Sequence, residues 1–371
     1  MNQPSMLGYI RDQGRALRNT LEIREVFCGP MSELFQGRDV KKVYLLGSGT
    51  SYNAALAIRQ YLEMYLPVEA EAMIPTAFTN YTRINNNCIY NADQVLVVGI
   101  SQSGTSVSTI EAMKRARREG YCTAAVTEAE DSLITREVDL TVKLTCGKEL
   151  IPVETRGYTV TLLQGYLTAV ETARRMGRIS EEACREAMDR AECFLARYDE
   201  ILARTEAWYD SHKAEFLNMK KGVIASYGLN ACTSIEAELK LNETFKMPVK
   251  AYEMEEMIHG PQMAFDQDTY VFLVASNEAE FERVALFKGF FQENHITEHV
   301  FIITDRQMEL GENDLYLDFD IPVELSPLAF TLPFQIIAAR NCEACGIDTS
   351  RRPPNRKSFA HIYKEIVKEE A

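Results

Sequence analysis

Gln94-Val95-Leu96-Val97-Val98-Gly99-Ile100-Ser101-Gln102-Ser103-Gly104-Thr105-Ser106 is the stretch on which the fold turns. Its first seven residues form a short, almost continuous apolar run of strand length. A strand apolar on both faces belongs to a parallel sheet covered on both sides. The run stops at a loop of hydroxyl residues, which opens a helix expected over 107–119, and a further strand is expected over 122–127. Upstream the same order occurs. Lys42-Val43-Tyr44-Leu45-Leu46-Gly47 reads as a buried strand ending in glycine, followed by a helix over 52–65 and a strand over 69–73. Strands alternating with helices of about 10–15 residues specify an α/β fold with a parallel sheet.

The pattern recurs in the second half. Val223-Ile224-Ala225-Ser226-Tyr227-Gly228 is again a strand ending in glycine, followed by a helix over 231–240. A strand over 270–275, a helix over 278–293 and a strand over 299–304 complete the repeat, which is weak letter by letter but consistent in order. The expected organisation is an N-terminal helical segment (1–38) with turns at Gly14 and Gly29-Pro30, a first α/β domain (39–175), linking helices (176–219), a second α/β domain (220–345) and a C-terminal tail (346–371). One long helical stretch is expected over 158–219. The tail segment Arg351-Arg352-Pro353-Pro354-Asn355-Arg356-Lys357 holds two prolines and four basic residues, so it cannot continue a helix.

With 46% hydrophobic and 25% charged residues the chain has the balance of a folded protein, and 371 residues suffice for two domains. The net charge of −14 argues against nucleic acid and anionic membranes as partners. It does not exclude an anionic substrate, because amides and hydroxyls hold phosphate without net positive charge. Nine cysteines at wide spacing do not form a disulfide framework, which favours a reducing compartment. Cys342-Glu343-Ala344-Cys345 reads as a pair of buried helix thiols rather than a redox or metal motif. The first 18 residues lack a signal-peptide pattern, and no run of about 18 apolar residues occurs. A cytoplasmic location follows as the expectation.

Two loops carry candidate chemistry. In an open α/β sheet, ligands bind at the carboxyl ends of the strands, where the next helix presents amide groups and the positive end of its dipole. Four hydroxyls within Ser101–Ser106 add donors suited to phosphate oxygens; a plain serine N-cap would account for only one of them. Gly47-Ser48-Gly49-Thr50-Ser51 is a second loop of the same kind. It has neither the order of a dinucleotide fingerprint nor a P-loop lysine. A second constellation lies in Glu236, Lys240 and Glu243, which share one helix face at i, i+4 and i+3 spacing. On an arbitrary helix such a row is a solvated salt-bridge face. His259, in the breaker-rich segment Met257-Ile258-His259-Gly260-Pro261, offers an exposed imidazole that could divide proton transfers with a carboxylate. His212, His295, His299 and His361 have no comparable setting. No group has metal-ligand spacing, and no cofactor is expected.

Together these residues resemble the SIS (sugar isomerase) family, most closely the isomerase half of glutamine–fructose-6-phosphate aminotransferases. The resemblance rests on Gly49 through Ala54, on Ser101-Gln102-Ser103-Gly104, and on Glu236 through Leu241 with Glu243. Glu256 with His259-Gly260-Pro261, and Asn355 with Lys357-Ser358, complete it. It implies two flavodoxin-like SIS domains in tandem and a homodimer or higher oligomer with active sites at its interface. It further implies that Ser101, Gln102, Ser103 and Ser106 hold a sugar phosphate, with Thr50 and Ser51 nearby and Lys240 beside the substrate. Glu243 matches the base that moves a proton between C1 and C2. His259 matches the histidine of ring opening, supplied by a neighbouring subunit, and Lys357 the tail lysine that contacts the open-chain sugar or forms an imine with it. There are departures. Thr105 stands where the aminotransferases usually carry Glu, and Thr155-Arg156 where they carry Thr-Lys. The segment around Lys357 is one residue shorter. No glutaminase segment and no cysteine after Met1 are present, so glutamine is not the expected nitrogen donor.

The expected activity is therefore deglycation of a fructosamine 6-phosphate, or deamination or isomerisation of an aminosugar phosphate. A simple aldose–ketose phosphate isomerase and a non-catalytic sugar-phosphate sensor are the alternatives. Retention of Glu243 and His259, and the lack of a helix-turn-helix in the N-terminal segment, weigh against the sensor.

Overall fold

The computed structural model describes residues 4–276 and 281–350. It begins with helices α1 (Met6–Arg11), α2 (Gln13–Glu22) and α3 (Glu25–Gly37). The chain divides into two compact units. One comprises Arg15–Asp189, and the other comprises Arg190–Ser350 together with the N-terminal residues up to Gly14.

The Arg15–Asp189 unit is built on β1 (Lys42–Leu46), α4 (Thr50–Tyr65), β2 (Glu69–Met73), α5 (Pro75–Tyr81), β3 (Val95–Ile100), α6 (Val107–Arg118), β4 (Cys122–Thr127), β5 (Leu140–Lys143) and α7 (Arg156–Arg175). All pairings are parallel, in the order β2-β1-β3-β4-β5. Every residue of β3 is buried, as its unbroken apolar run predicts for a central strand. α4 and α7 cover the sheet with small and aliphatic side chains, Ala54, Ala57, Ile58 and Leu62 from α4 among them. Burying a side chain the size of Ile58 or Leu62 contributes about 1.5–3 kcal/mol.

The second unit continues from α8 (Glu181–Ala196), which crosses the boundary, and α9 (Tyr198–Asn218). Its sheet elements follow as β6 (Lys221–Ser226), α10 (Ala231–Glu243), β7 (Val249–Glu253), β8 (Thr269–Ala275), α11 (Arg283–Glu293), β9 (Val300–Thr304) and β10 (Leu315–Tyr316), before α12 (Ser326–Phe330) and α13 (Leu332–Ala344). This sheet is also wholly parallel, in the order β10-β9-β8-β6-β7. Read from β7, it repeats the strand order of the first unit. β8 and β9 are buried at every position. The architecture is the α/β tandem of two flavodoxin-like sheets expected from the sequence.

Several local expectations are corrected. α3 runs through Gly29-Pro30, and the break falls instead at Ile23-Arg24. Buried Phe27, Cys28, Met31 and Phe35 hold one face of α3. The carbonyl that Pro30 leaves without a donor belongs to exposed Val26, where water is at hand. The expected single helical stretch over 158–219 is three helices. β5, β7 and β10 lie beyond the sequence reading because they are short and lie at or near sheet edges, with mixed burial. Of the Cys342/Cys345 pair only Cys342 is buried; Cys345 is exposed at the C-cap of α13. Among the described residues no helix is long and apolar enough to cross a membrane.

Candidate functional site

The two hydroxyl loops meet by topology. β1 and β3 are neighbours, with Leu46 opposite Gly99, so both loops leave the same end of adjacent strands. The strand order reverses between these two strands, which is where flavodoxin-like sheets bind ligands. Thr50 is the first residue of α4 and is buried; Ser51 is half-buried behind it.

In the loop after β3, Ser101 is buried and its amide continues the ladder to the Val126 carbonyl at 3.0 Å. Gly104 donates back to the Ser101 carbonyl at 3.1 Å, closing a tight turn. Gly104 has φ +64°, and a Cβ there would stand 1.9 Å from Ser132 Oγ, so only glycine fits. The exposed hydroxyls of Ser103 and Thr105 are 2.9 Å apart. Ser106 is the N-cap of α6, yet its side chain makes no cap bond to the first-turn amides; its Oγ instead accepts from Thr109 at 3.0 Å. The α6 N-terminus with these hydroxyls is an array suited to an anion.

The loop rests on the segment after β4. The Gln102 carbonyl accepts from the Glu128 amide at 3.1 Å and Thr127 Oγ1 at 3.3 Å, and the Gly104 carbonyl from the Ile134 amide at 3.1 Å. Two acidic residues, which sequence reasoning missed, lie beside it. Glu149 accepts from the Gly157 amide at 2.7 Å and the Thr155 amide at 3.3 Å. It thereby caps α7 and satisfies that helix's dipole with an internal carboxylate. The Gln102 amide lies between Glu149, 3.5 Å from Nε2 in one orientation, and Glu154. With the amide turned over, its nitrogen donates to both Glu154 oxygens at 3.0 Å. The shorter, charge-assisted contacts favour the second orientation. The Gln102 side chain is thus engaged with the protein's own carboxylates. No spacing in the sequence signals either glutamate, because the contact arises from the return of the chain into α7.

In the second unit, Glu236, Lys240 and Glu243 form an ion row on α10. Lys240 Nζ lies 3.2 Å from Glu236 and 2.6 Å from Glu243. This is not the solvated face that such spacing usually produces. The Lys240 side chain is 1% exposed, Glu236 0% and Glu243 33%. The ammonium is therefore clamped from inside, and it presents one partly exposed carboxylate at the helix end. Asn242 fixes that end by exchanging hydrogen bonds of 3.2 Å with the backbone of Val249 at the start of β7.

His259 is exposed on a loop whose anchors are buried. Met254 and Met257 are fully buried, and Glu253 accepts the amides of Glu255 at 2.8 Å and Glu256 at 3.1 Å. Glu255 is held by the Tyr227 hydroxyl at 2.8 Å and by Arg283 at 2.5 and 2.8 Å, a network the sequence did not announce. The Arg283 guanidinium, with smaller help from Tyr227, keeps the Glu255 carboxyl below its usual range. Glu243 and His259 do not hydrogen-bond each other among the described residues. Lys357 lies outside the described residues.

A parallel sheet with hydroxyl loops at its switch point defines the class, a flavodoxin-like α/β protein. Residues 38–171 of this chain match the SIS domain family model. It is 27% identical over 351 residues to a glutamine–fructose-6-phosphate aminotransferase (isomerizing) of Shewanella oneidensis, covering 90% of this chain and 55% of that protein. The chain thus spans about half the length of the curated relatives it matches. A Clostridium difficile 630 structure provisionally named a phosphosugar isomerase superposes with a TM-score of 0.85 at 26% identity, covering 96% of this chain and 98% of that one. A glucosamine-6-phosphate deaminase of Thermotoga maritima shares the fold, with a TM-score of 0.71 at 20% identity and coverage of 94% and 97%.

Proposed function

We propose that this protein is a phosphosugar isomerase-type enzyme acting on a 6-phosphosugar that bears nitrogen at C1 or C2. The observation that carries this reading is the buried ion row of α10. A helix spends a fully buried lysine and a fully buried glutamate to hold one carboxylate, Glu243, at its partly exposed end. Such an arrangement is costly as mere stabilisation and is suited to a positioned base. The hydroxyl loops at the β1–β3 switch point supply the phosphate subsite. The relatives' names support the amino-sugar side of the reading.

Glu243 takes the C2 proton of an open-chain 2-amino aldose phosphate and delivers it to C1. The resulting C2 imine is hydrolysed by water to a ketose phosphate and ammonia. For a fructosamine 6-phosphate the proton moves from C1 to C2, and hydrolysis of the C1 imine gives an aldose phosphate and the free amine. His259 opens the ring or protonates the departing nitrogen. Its exposure on a firmly anchored loop suits a role in the active site of a second copy, and we take the working unit to be a homodimer.

The test incubates the full chain separately with glucosamine 6-phosphate, fructoselysine 6-phosphate and fructose 6-phosphate, following ammonia, free amino acid and hexose phosphate. Turnover of one nitrogen-bearing substrate is expected, together with its loss in Glu243→Gln while phosphosugar binding persists. Full activity in Glu243→Gln, or binding without turnover across the panel, would overturn the reading.

A further inference from the structure

The position of Glu154 is at odds with simple electrostatics. The loop that would receive a dianionic phosphate has a carboxylate bonded to one of its own residues, although like charges in one neighbourhood repel. Unless Glu154 contributes something else, the arrangement weakens the proposed ligand's binding.

What it contributes is visible in how Gln102 is held. The main chain of this residue is tied to the segment after β4, through Glu128 and Thr127 on its carbonyl. Its side chain is tied to the start of α7, through the two 3.0 Å contacts with Glu154. Gly157 leaves the space this needs, since a Cβ there would stand 2.2 Å from the Gln102 side-chain amide. Glu154 is half-buried and immediately precedes Thr155, the N-cap of α7. Gln102 therefore bridges two separate elements, and Ser103, Gly104 and Thr105 project from that bridge.

We infer that Glu154 is a positioning residue for the phosphate loop, acting through the Gln102 amide and not through contact with the ligand. The inference rests on the phosphate-binding reading given above. A brace fixes the loop before the ligand arrives, so the ordering cost is not charged to binding. A neutral amide does not itself cancel a carboxylate's charge, so brace and charge act on an anionic ligand with opposite sign.

The two roles predict opposite signs. If Glu154 is a brace, Glu154→Ala weakens phosphate binding. If it is only a nearby negative charge, Glu154→Ala and Glu154→Gln both tighten it. The experiment is a calorimetric titration of the full-length chain with inorganic phosphate and with glucosamine 6-phosphate, for wild type, Glu154→Ala, Glu154→Gln, Gln102→Ala and Glu154→Ala/Gln102→Ala, with melting temperatures recorded alongside. For Glu154→Ala the expected result is a Kd for both ligands raised about five- to ten-fold, with KM following and kcat within about two-fold. Glu154→Gln, whose amide still reaches Gln102, weakens binding by a smaller factor and serves if the alanine variant folds poorly. The double variant binds no worse than the weaker single variant, the non-additivity expected of residues acting as one unit. Unchanged or tighter binding in the Glu154 variants, or additive losses in the double variant, would overturn the inference and leave the phosphate site standing. If the wild-type chain bound neither ligand, the functional reading would fail and the inference with it.

Discussion

Replacing Lys240 by methionine gives the sharpest test of the buried ion row. Lys240→Met preserves most of the side-chain volume but removes the ammonium 3.2 Å from Glu236, whose side chain has no solvent exposure. Removing one partner of a buried pair costs about 3–5 kcal/mol, because the other charge stays in the protein interior. For a unit of this size each kcal/mol lowers the melting temperature by about 2–4 °C, so a fall of about 6–20 °C is expected. The contact to Glu243 adds less, because that carboxylate is 33% exposed and water screens it. Trp208, the chain's one tryptophan, lies 7% exposed in the same unit as Lys240, so its fluorescence follows the unfolding of that unit. In a denaturant titration the midpoint should fall with little change in slope. The double variant Glu236→Gln/Lys240→Met, which removes both buried charges, should recover a large part of the loss. A loss below about 1 kcal/mol in Lys240→Met, or a double variant no more stable than the single, would show that the row is not the buried clamp described here.

Two further perturbations have outcomes fixed by local geometry. Burial, only partly opposed by Arg306, raises the Asp305 carboxyl from 3.8 to about 6, and its side chain is 2% exposed. Between about pH 4 and 6 the folded state then holds a proton that the unfolded state has released, so stability falls as pH rises through this window, by up to about 3 kcal/mol, and is level above it. Asp305→Asn should abolish that slope and be more stable at neutral pH, as read from Trp208 fluorescence across the window; an unchanged slope would refute the assignment. Gly104→Ala forces a left-handed φ on alanine and drives a Cβ into Ser132, at a cost of about 1–3 kcal/mol. Phosphate affinity should fall with it, and calorimetry showing wild-type affinity would mean that the loop's shape does not govern binding.

What the sequence made legible follows from the range of the forces involved. β3 and β8 are read directly because a strand buried on both faces must be apolar throughout. The edge strand β7 is not, because its exposed residues follow the solvent and its pairing with β6 is set by neighbours distant in the chain. The same division runs through the candidate site. Hydroxyls at a strand–helix junction announce an anion loop, since capping and dipole act within one turn. The i, i+3 and i+4 spacing announced the α10 ion row but gave the wrong environment for it. Whether that face meets water depends on what covers it, and covalent spacing carries no such information. Glu154 and the Tyr227–Glu255–Arg283 network were illegible for the same reason, since each joins residues at least 28 positions apart. The residues that bear chemistry are therefore visible locally, while those that hold them in place become visible only when the chain returns to them, and it is among the latter that the α10 clamp and the Gln102 brace are found.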